Sequence, residues 1–258
     1  MSGSRSRLTD LPGEYPFGVL VLSLLVIIIG APLTSGLGRE VSVMHGAGSI
    51  APLVLVLTLA SGFAIWKTSG NRAAFAVLGG LVLISLYLST VFRHHALTAV
   101  HLVGQILFLL YVIAVVTRAV FSAPLVDGNI LFGAASIYLL IGVLAGFVFS
   151  LVELIVPGSF LVVPAGGPTA GSVIKPDAGW LIYFSFTTLT TVGFGDIIPA
   201  GEISRSLAVL EAVVGQILLV VMMARLVGLH VAQVSSGRHH TPVVFETAEH
   251  PAGHKKDA

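Results

Sequence analysis

The sequence predicts an all-α membrane protein of six transmembrane helices, with one re-entrant helix and loop before the last of them. Two observations carry this. Hydrophobic residues make up 55% of the 258 and charged residues only 10%, with a mean hydropathy of +1.00, more apolar than a soluble core requires. Six apolar runs approach the length of about 20 residues that a helix needs to cross the hydrocarbon, and a seventh is apolar yet interrupted by threonine, glycine and an aspartate. Backbone polar groups find no water in that layer, so the spanning runs are expected to be helices.

The first run, residues 17–35, follows a short polar stretch containing Arg5 and Arg7. It is longer than the apolar region of a signal peptide and no clean A-x-A cleavage pattern follows, so it is expected to be retained. Runs at 50–66, 73–92 and 96–117 complete a four-helix membrane module over residues 17–120. Runs at 130–155 and 204–231 flank the interrupted stretch 179–198 and form a second unit over residues 129–231. Between them, residues 156–177 hold Pro157, Pro164, Pro168 and Pro176 with Gly158, Gly166, Gly167 and Gly171, which reads as an irregular extracellular loop. Residues 1–16 form a cytoplasmic segment. Residues 232–258 are polar, contain His239, His240, His250 and His254, and read as a disordered cytoplasmic tail too short to fold alone.

Net charge is +1 and the isoelectric point about 8.2, which offers no basic surface for nucleic acid. The basic residues speak by position. With the amino terminus inside, Arg5, Arg7, Lys67, Arg72, Arg118, Arg225, Arg238, Lys255 and Lys256 are cytoplasmic, nine of the thirteen, against Arg39, Arg93, Lys175 and Arg205 outside. This asymmetry predicts a multi-pass protein of the cell membrane, in contact with the lipid bilayer, with both termini cytoplasmic. The chain has no cysteine, which excludes disulfides and thiolate metal sites.

Residues 190–196 read TTVGFGD. A dehydrated cation needs a cage of oxygens, and main-chain carbonyls aimed along a narrow axis supply one. Gly193 and Gly195 permit the positive φ that such aiming requires, and Val192 and Phe194 would point away and wedge the loop against the preceding helix. Pro176 and Asp177 mark the start of that helix, with Asp177 as its cap and residues 178–189 as its body. The negative end of its dipole would face the loop and favour a cation.

This stretch, placed between two spans, resembles the filter of the potassium channel family. The resemblance covers residues 129–231 closely and only the span count elsewhere. It implies a pore domain of outer helix, turret, pore helix, selectivity-filter loop and inner helix. The carbonyls of Thr191, Val192, Gly193 and Phe194, with the Thr191 hydroxyl, would hold K+. Gly195 would complete the filter, and Thr190 and Asp196 would flank it. One loop per chain against four strands per filter implies a homotetramer. The implied function is passive K+ conduction, without enzymatic activity and with no cofactor beyond the permeant ion. Phe194 stands where tyrosine is commoner, so a hydroxyl that can tether the loop from behind is missing. Two alternatives remain open. A non-selective cation channel usually loses the aromatic or the second glycine, and a six-span transporter would show internal symmetry or broken helices.

The last span holds Gly215, 22 residues past Gly193, a spacing that resembles the hinge glycine of inner helices; helix packing is the alternative. Glu211 lies roughly 10 Å inside this span at about 1.5 Å per residue. An ionisable group there faces protein or a water-filled cavity, and is expected to brace the pore helix through Ser185, Thr187 or Thr188. Glu153 sits at the outer end of the fifth span, where six-helix channels often carry a carboxylate that clamps the filter loop; a solvated helix end is the alternative. Gly142 and Gly146 form a GxxxG pair suited to packing.

The first four spans occupy the position of a voltage sensor. Yet residues 96–117 contain no arginine, His101 being their one side chain able to carry a positive charge, with Arg93 before and Arg118 after. Each gating charge is worth about 2.3 kcal/mol per 100 mV, so weak or absent voltage gating is expected. His94, His95 and His101 raise a proton-sensing or metal reading beside an interfacial or packing one.

Overall fold

The computed structural model describes residues 15–45, 54, 56–58, 60–61, 72–92, 94–125, 127–163 and 176–238. In chain order come α1 (Pro16–His45), α2 (Arg72–Phe92), α3 (His95–Ser122), α4 (Gly128–Ile155), strand β1 (Phe160–Val162), α5 (Ala178–Leu189), strand β2 (Ile197–Pro199) and α6 (Glu202–Arg238). Residues 54, 56–58, 60 and 61 are helical; the rest of the expected span 50–66 lies outside the described residues, as do 1–14, 164–175 and 239–258. Among the described residues, four helices are long and apolar enough to cross a bilayer: α2, α3, α4 and α6, the last as far as Ala232. To these α1 adds the shorter apolar stretch Pro16–Ala31.

Three helix starts follow from side chains that satisfy the otherwise unpaired N–H groups of a first turn. His94 accepts from the Ala96 N–H at 3.3 Å, Asp127 from Ile130 at 2.8 Å and Asp177 from Trp180 at 3.1 Å. At the start of α1, the Phe17 N–H donates to Asn129 Oδ1 (3.2 Å), which ties that helix to the first turn of α4.

The helices of the amino-terminal half do not stand apart from the rest. One apolar cluster joins Phe17, Leu20 and Leu24 of α1 and Phe108, Val112 and Val116 of α3 to Ile137, Leu140 and Phe147 of α4. It reaches α5 through Ile182 and α6 through Met222. Lipid tails are as apolar as these side chains, so what holds the helices together here is close packing. The glycine pair of α4 shows how close. A Cβ at Gly142 would fall 2.7 Å from the Phe186 ring, and one at Gly146 would fall 2.8 Å from Ile182 Cα. Both glycines are therefore the seat of α5.

Two expectations need correction. The connection after α4 is not wholly irregular: β1 pairs antiparallel with β2, with Phe160 opposite Pro199 and Val162 opposite Ile197. The partner strand lies beyond the filter stretch, so only the tertiary fold could bring the two together. And α6 continues to Arg238, seven residues into the stretch expected to be a disordered tail. Ala232, Gln233 and the residues after them include no proline before Pro242, so nothing stops the helix before Gly237 weakens it.

Candidate functional site

The re-entrant segment is built from α5 upward. The helix runs from its Asp177 cap to Leu189, and Thr190 and Thr191 close its last turn with N–H bonds to Phe186 O and Thr188 O, both 3.0 Å. The chain then turns back: the Gly193 N–H donates to Thr187 O at 3.1 Å, so the loop stays against the helix that precedes it.

Within the loop φ is positive at Thr191 (60°), Gly193 (56°) and Gly195 (78°) and at neither residue between them. An extended strand sends successive carbonyls to opposite sides. Alternating left- and right-handed backbone turns them to the same side, which is the arrangement a carbonyl-lined ion path needs. Glycine adopts positive φ without cost. Thr191 does not, since a β-branched residue there is strained by about 1–3 kcal/mol. It is also the only non-glycine residue with positive φ among the described residues. The glycine-based reading missed it.

Side chains behind the loop hold its far end. The Tyr183 phenol of α5 donates to Asp196 Oδ2 at 2.8 Å, and its ring lies parallel to that of Phe194, centroids 6.4 Å apart. A tyrosine phenol gives up its proton only well above neutral pH, so Tyr183 remains a donor across the physiological range. Sequence reasoning attached the tether to the missing hydroxyl at position 194 and overlooked Tyr183. Val192 and Phe194 were expected to wedge the loop against its own helix; Phe194 meets α5 at Tyr183, yet both are exposed on the single chain, at 55% and 70%.

Beyond Asp196 the ribbon takes over. The Val163 N–H donates to Asp196 O (2.7 Å) and the Ala200 N–H to Ser159 O (2.8 Å), so both ends of β1 grip the exit of the loop. Glu153 anchors β1 in turn. It is buried, and its two oxygens accept from the N–H groups of Gly158 (2.8 Å) and Phe160 (3.0 Å). Neither expectation for Glu153 matches this: it is not a solvated helix end, and it touches the turn into β1 instead of the loop itself. Phe149, Phe160 and Phe184 pack ring to ring at 5.2–5.4 Å and press the ribbon onto α5.

At the inner end, three helices meet at Leu189. The Tyr138 hydroxyl of α4 donates to Leu189 O (3.1 Å). On the side of α6, a Cβ at Gly215 would stand 2.7 Å from Leu189 Cδ1 and 3.0 Å from Leu189 O. Gly215 is thus a close-packing position, the second of the two readings its spacing allowed. One helical turn earlier, Glu211 is bonded to Ser185, one of the three hydroxyls expected for it.

Residues 130–230 match the family model described as "Ion channel". The match runs from the first turn of α4 to the C-terminal part of α6 and takes in every residue of the re-entrant segment and its supports. No curated protein and no solved structure matches the chain. Together with the apolar helices, the match supports an ion channel embedded in the lipid bilayer as a multi-pass protein.

The ion-channel stretch is tied to the helices before it by one cation. Arg225 of α6 donates to Phe121 O at 2.5 Å and Val120 O at 3.4 Å, carbonyls in the last turn of α3, and its guanidinium lies 4.6 Å over the Phe121 ring. The charge rule had counted Arg225 without giving it this role. The histidines separate. His94 is a cap outside the helix and His95 is exposed, so His94 and His101 do not share a helix face; buried His101 pairs with Ser85 Oγ (3.1 Å). Among the described residues no group of three His, Asp or Glu side chains is placed to hold a metal.

Proposed function

We propose that the chain is one subunit of a homotetrameric, potassium-selective channel that conducts K+ passively through the carbonyls of Thr191, Val192, Gly193 and Phe194 and the Thr191 hydroxyl. The observation that carries this reading is the alternation of φ through Thr191, Gly193 and Gly195, directly after a helix whose carbonyl end faces the loop. That backbone suits main-chain ligation of a bare cation and little else.

The tetramer is supported by what the single chain leaves open. A groove of about 530 Å³ runs between the loop and α6, lined by Phe184, Thr187, Gly193, Ile197, Val209 and Ala212, and Val192 and Phe194 of the same loop are exposed. A second copy of the same loop and helix is the natural occupant, and four copies close a filter. Six spans with cytoplasmic termini follow from the apolar runs and the basic residues. Weak or absent voltage gating follows from an α3 whose only arginine, Arg118, sits near its cytoplasmic end.

Ion flux from purified protein in liposomes under opposed K+ and Na+ gradients tests the reading. The expected reversal potential follows K+, and Gly193→Ala abolishes the current. A reversal potential that followed Na+, or indifference to Gly193→Ala, would falsify K+ selectivity at this loop.

A further inference from the structure

Ser185, in the middle of α5, has two oxygens within hydrogen-bonding reach of its hydroxyl. One is the Gly142 carbonyl of α4, 2.6 Å away, and the other is Glu211 Oε1 of α6. A serine hydroxyl has one proton to give. A carbonyl has none. When Ser185 donates to Gly142, the proton in its bond to Glu211 must come from the carboxyl group, and only the neutral acid carries one.

A second observation is independent of that count. Glu211 is 6% exposed, and its other oxygen, Oε2, is buried without a hydrogen-bond partner among the described residues. The carbonyl oxygen of a neutral acid tolerates such a place far better than a carboxylate oxygen does. No lysine or arginine occurs in α4, α5 or β2, the elements with the most extensive contact to α6; α3 meets α6 at Arg225, fourteen residues beyond Glu211, and α6 has no other ionisable residue between Arg205 and Arg225. The remaining titratable groups on those elements are Tyr138, within electrostatic range of Glu211, Tyr183, bonded to Asp196, and Glu153, bonded to the turn before β1. None supplies a positive charge.

We propose that Glu211 is a proton-carrying positioning residue: as the neutral acid it donates to Ser185, which donates to Gly142, and this two-bond relay locks α6, α5 and α4 together behind the loop. Loss of the proton turns the Ser185 hydroxyl toward the carboxylate and releases Gly142, so the grip of α4 on α5 loosens. The consequence for conduction rests on the channel reading. The protonation state does not.

Infrared spectra and K+ efflux, both on protein reconstituted in liposomes, test the two levels separately. At neutral pH the wild type shows a protonated-carboxyl C=O stretch that Glu211→Gln lacks and that disappears on alkaline titration. A glutamine amide can donate to Ser185 as the acid does, so Glu211→Gln keeps efflux within about twofold at neutral pH whereas Glu211→Ala loses roughly tenfold. Wild-type efflux falls as pH rises, and that of Glu211→Gln does not. Absence of the band, equal damage from Gln and Ala, or the same pH profile in wild type and Glu211→Gln overturns the proposal. The band present in a protein that carries no K+ supports the proton and overturns the channel reading instead.

Discussion

The backbone oxygen of Leu189 lies 3.0 Å from the point a Cβ on Gly215 would occupy, so α6 meets the foot of the loop at a position where only glycine fits. The same oxygen accepts the Tyr138 hydroxyl. Outer helix, re-entrant helix and inner helix thus converge on one peptide unit, and displacement of any one is felt at Thr190.

Gly215→Ala is therefore expected to act through Leu189. Overpacking of this kind costs about 1–3 kcal/mol, enough to lower the stability of the protein and, on the proposed channel reading, its K+ flux. Leu189→Ala removes the Cδ1 contact and should restore a good part of both in the double variant. A hinge role would give a different result: Gly215→Ala would alter opening, and shortening Leu189 would not help. The discriminating measurement is the double-mutant cycle on tetramer melting.

Tyr183→Phe keeps the ring against Phe194 and removes only the bond to Asp196. Hydrogen bonds to charged groups contribute about 1.5–3 kcal/mol, so the loop should lose its conducting form roughly tenfold more readily, seen as faster decay of macroscopic current. The tether itself should be insensitive to pH over the physiological range. A tyrosine phenol titrates at about 10 in water, and one that donates to a carboxylate gives up its proton only in alkali. A current decay that changed between pH 6 and 8 in wild type but not in Tyr183→Phe would place the sensitivity at this pair and sink that expectation.

How far the sequence reaches depends on the range of the signal. The bounds of α5 are readable because Pro176 and Asp177 mark its start and the TTVGFGD stretch ends it, all within a few residues. The packing of Gly142 and Gly146 is readable from the GxxxG spacing alone. The β1–β2 ribbon is not, since Phe160, Leu161 and Val162 are too few to show alternation and their partners lie 35 or more positions away. Thr191 was missed for a related reason: glycine announces positive φ, whereas a threonine forced into it by its neighbours announces nothing. Tyr183 and Asp196 come from a helix and a loop, and no periodicity links them. Glu153 was assigned to the loop by position, but the ribbon stands between the two.

Glu153→Gln tests whether the ribbon transmits that anchor. The amide retains one acceptor oxygen and turns an NH2 toward the other N–H, so one of the two bonds to Gly158 and Phe160 is lost and a donor faces a donor. Burial makes this costly, about 1–3 kcal/mol. The protein should melt earlier and, on the proposed channel reading, current should decay faster while the reversal potential stays where it is. Wild-type melting and decay in this variant would show that β1 does not depend on Glu153.

Arg225 offers the clearest handle on what α1, α2 and α3 do for the pore. Its guanidinium satisfies two carbonyls at the end of α3 and covers the Phe121 ring, and a cation at a helix C-terminus is favoured by the dipole as well. Arg225→Gln retains a donor but loses the charge and the ring contact, and should free the C-terminal part of α6 from α3. On the proposed channel reading, the expected outcome is a shift in single-channel open probability with unchanged unitary conductance, because Arg225 lies roughly 15 Å along α6 beyond Gly215, the contact with the foot of the loop. Phe121→Ala should shift it in the same direction, and the pair should be non-additive by about 0.5–1 kcal/mol. Full additivity would mean that Arg225 and Phe121 act on the pore independently, and the link between α3 and α6 would have to be sought at another contact.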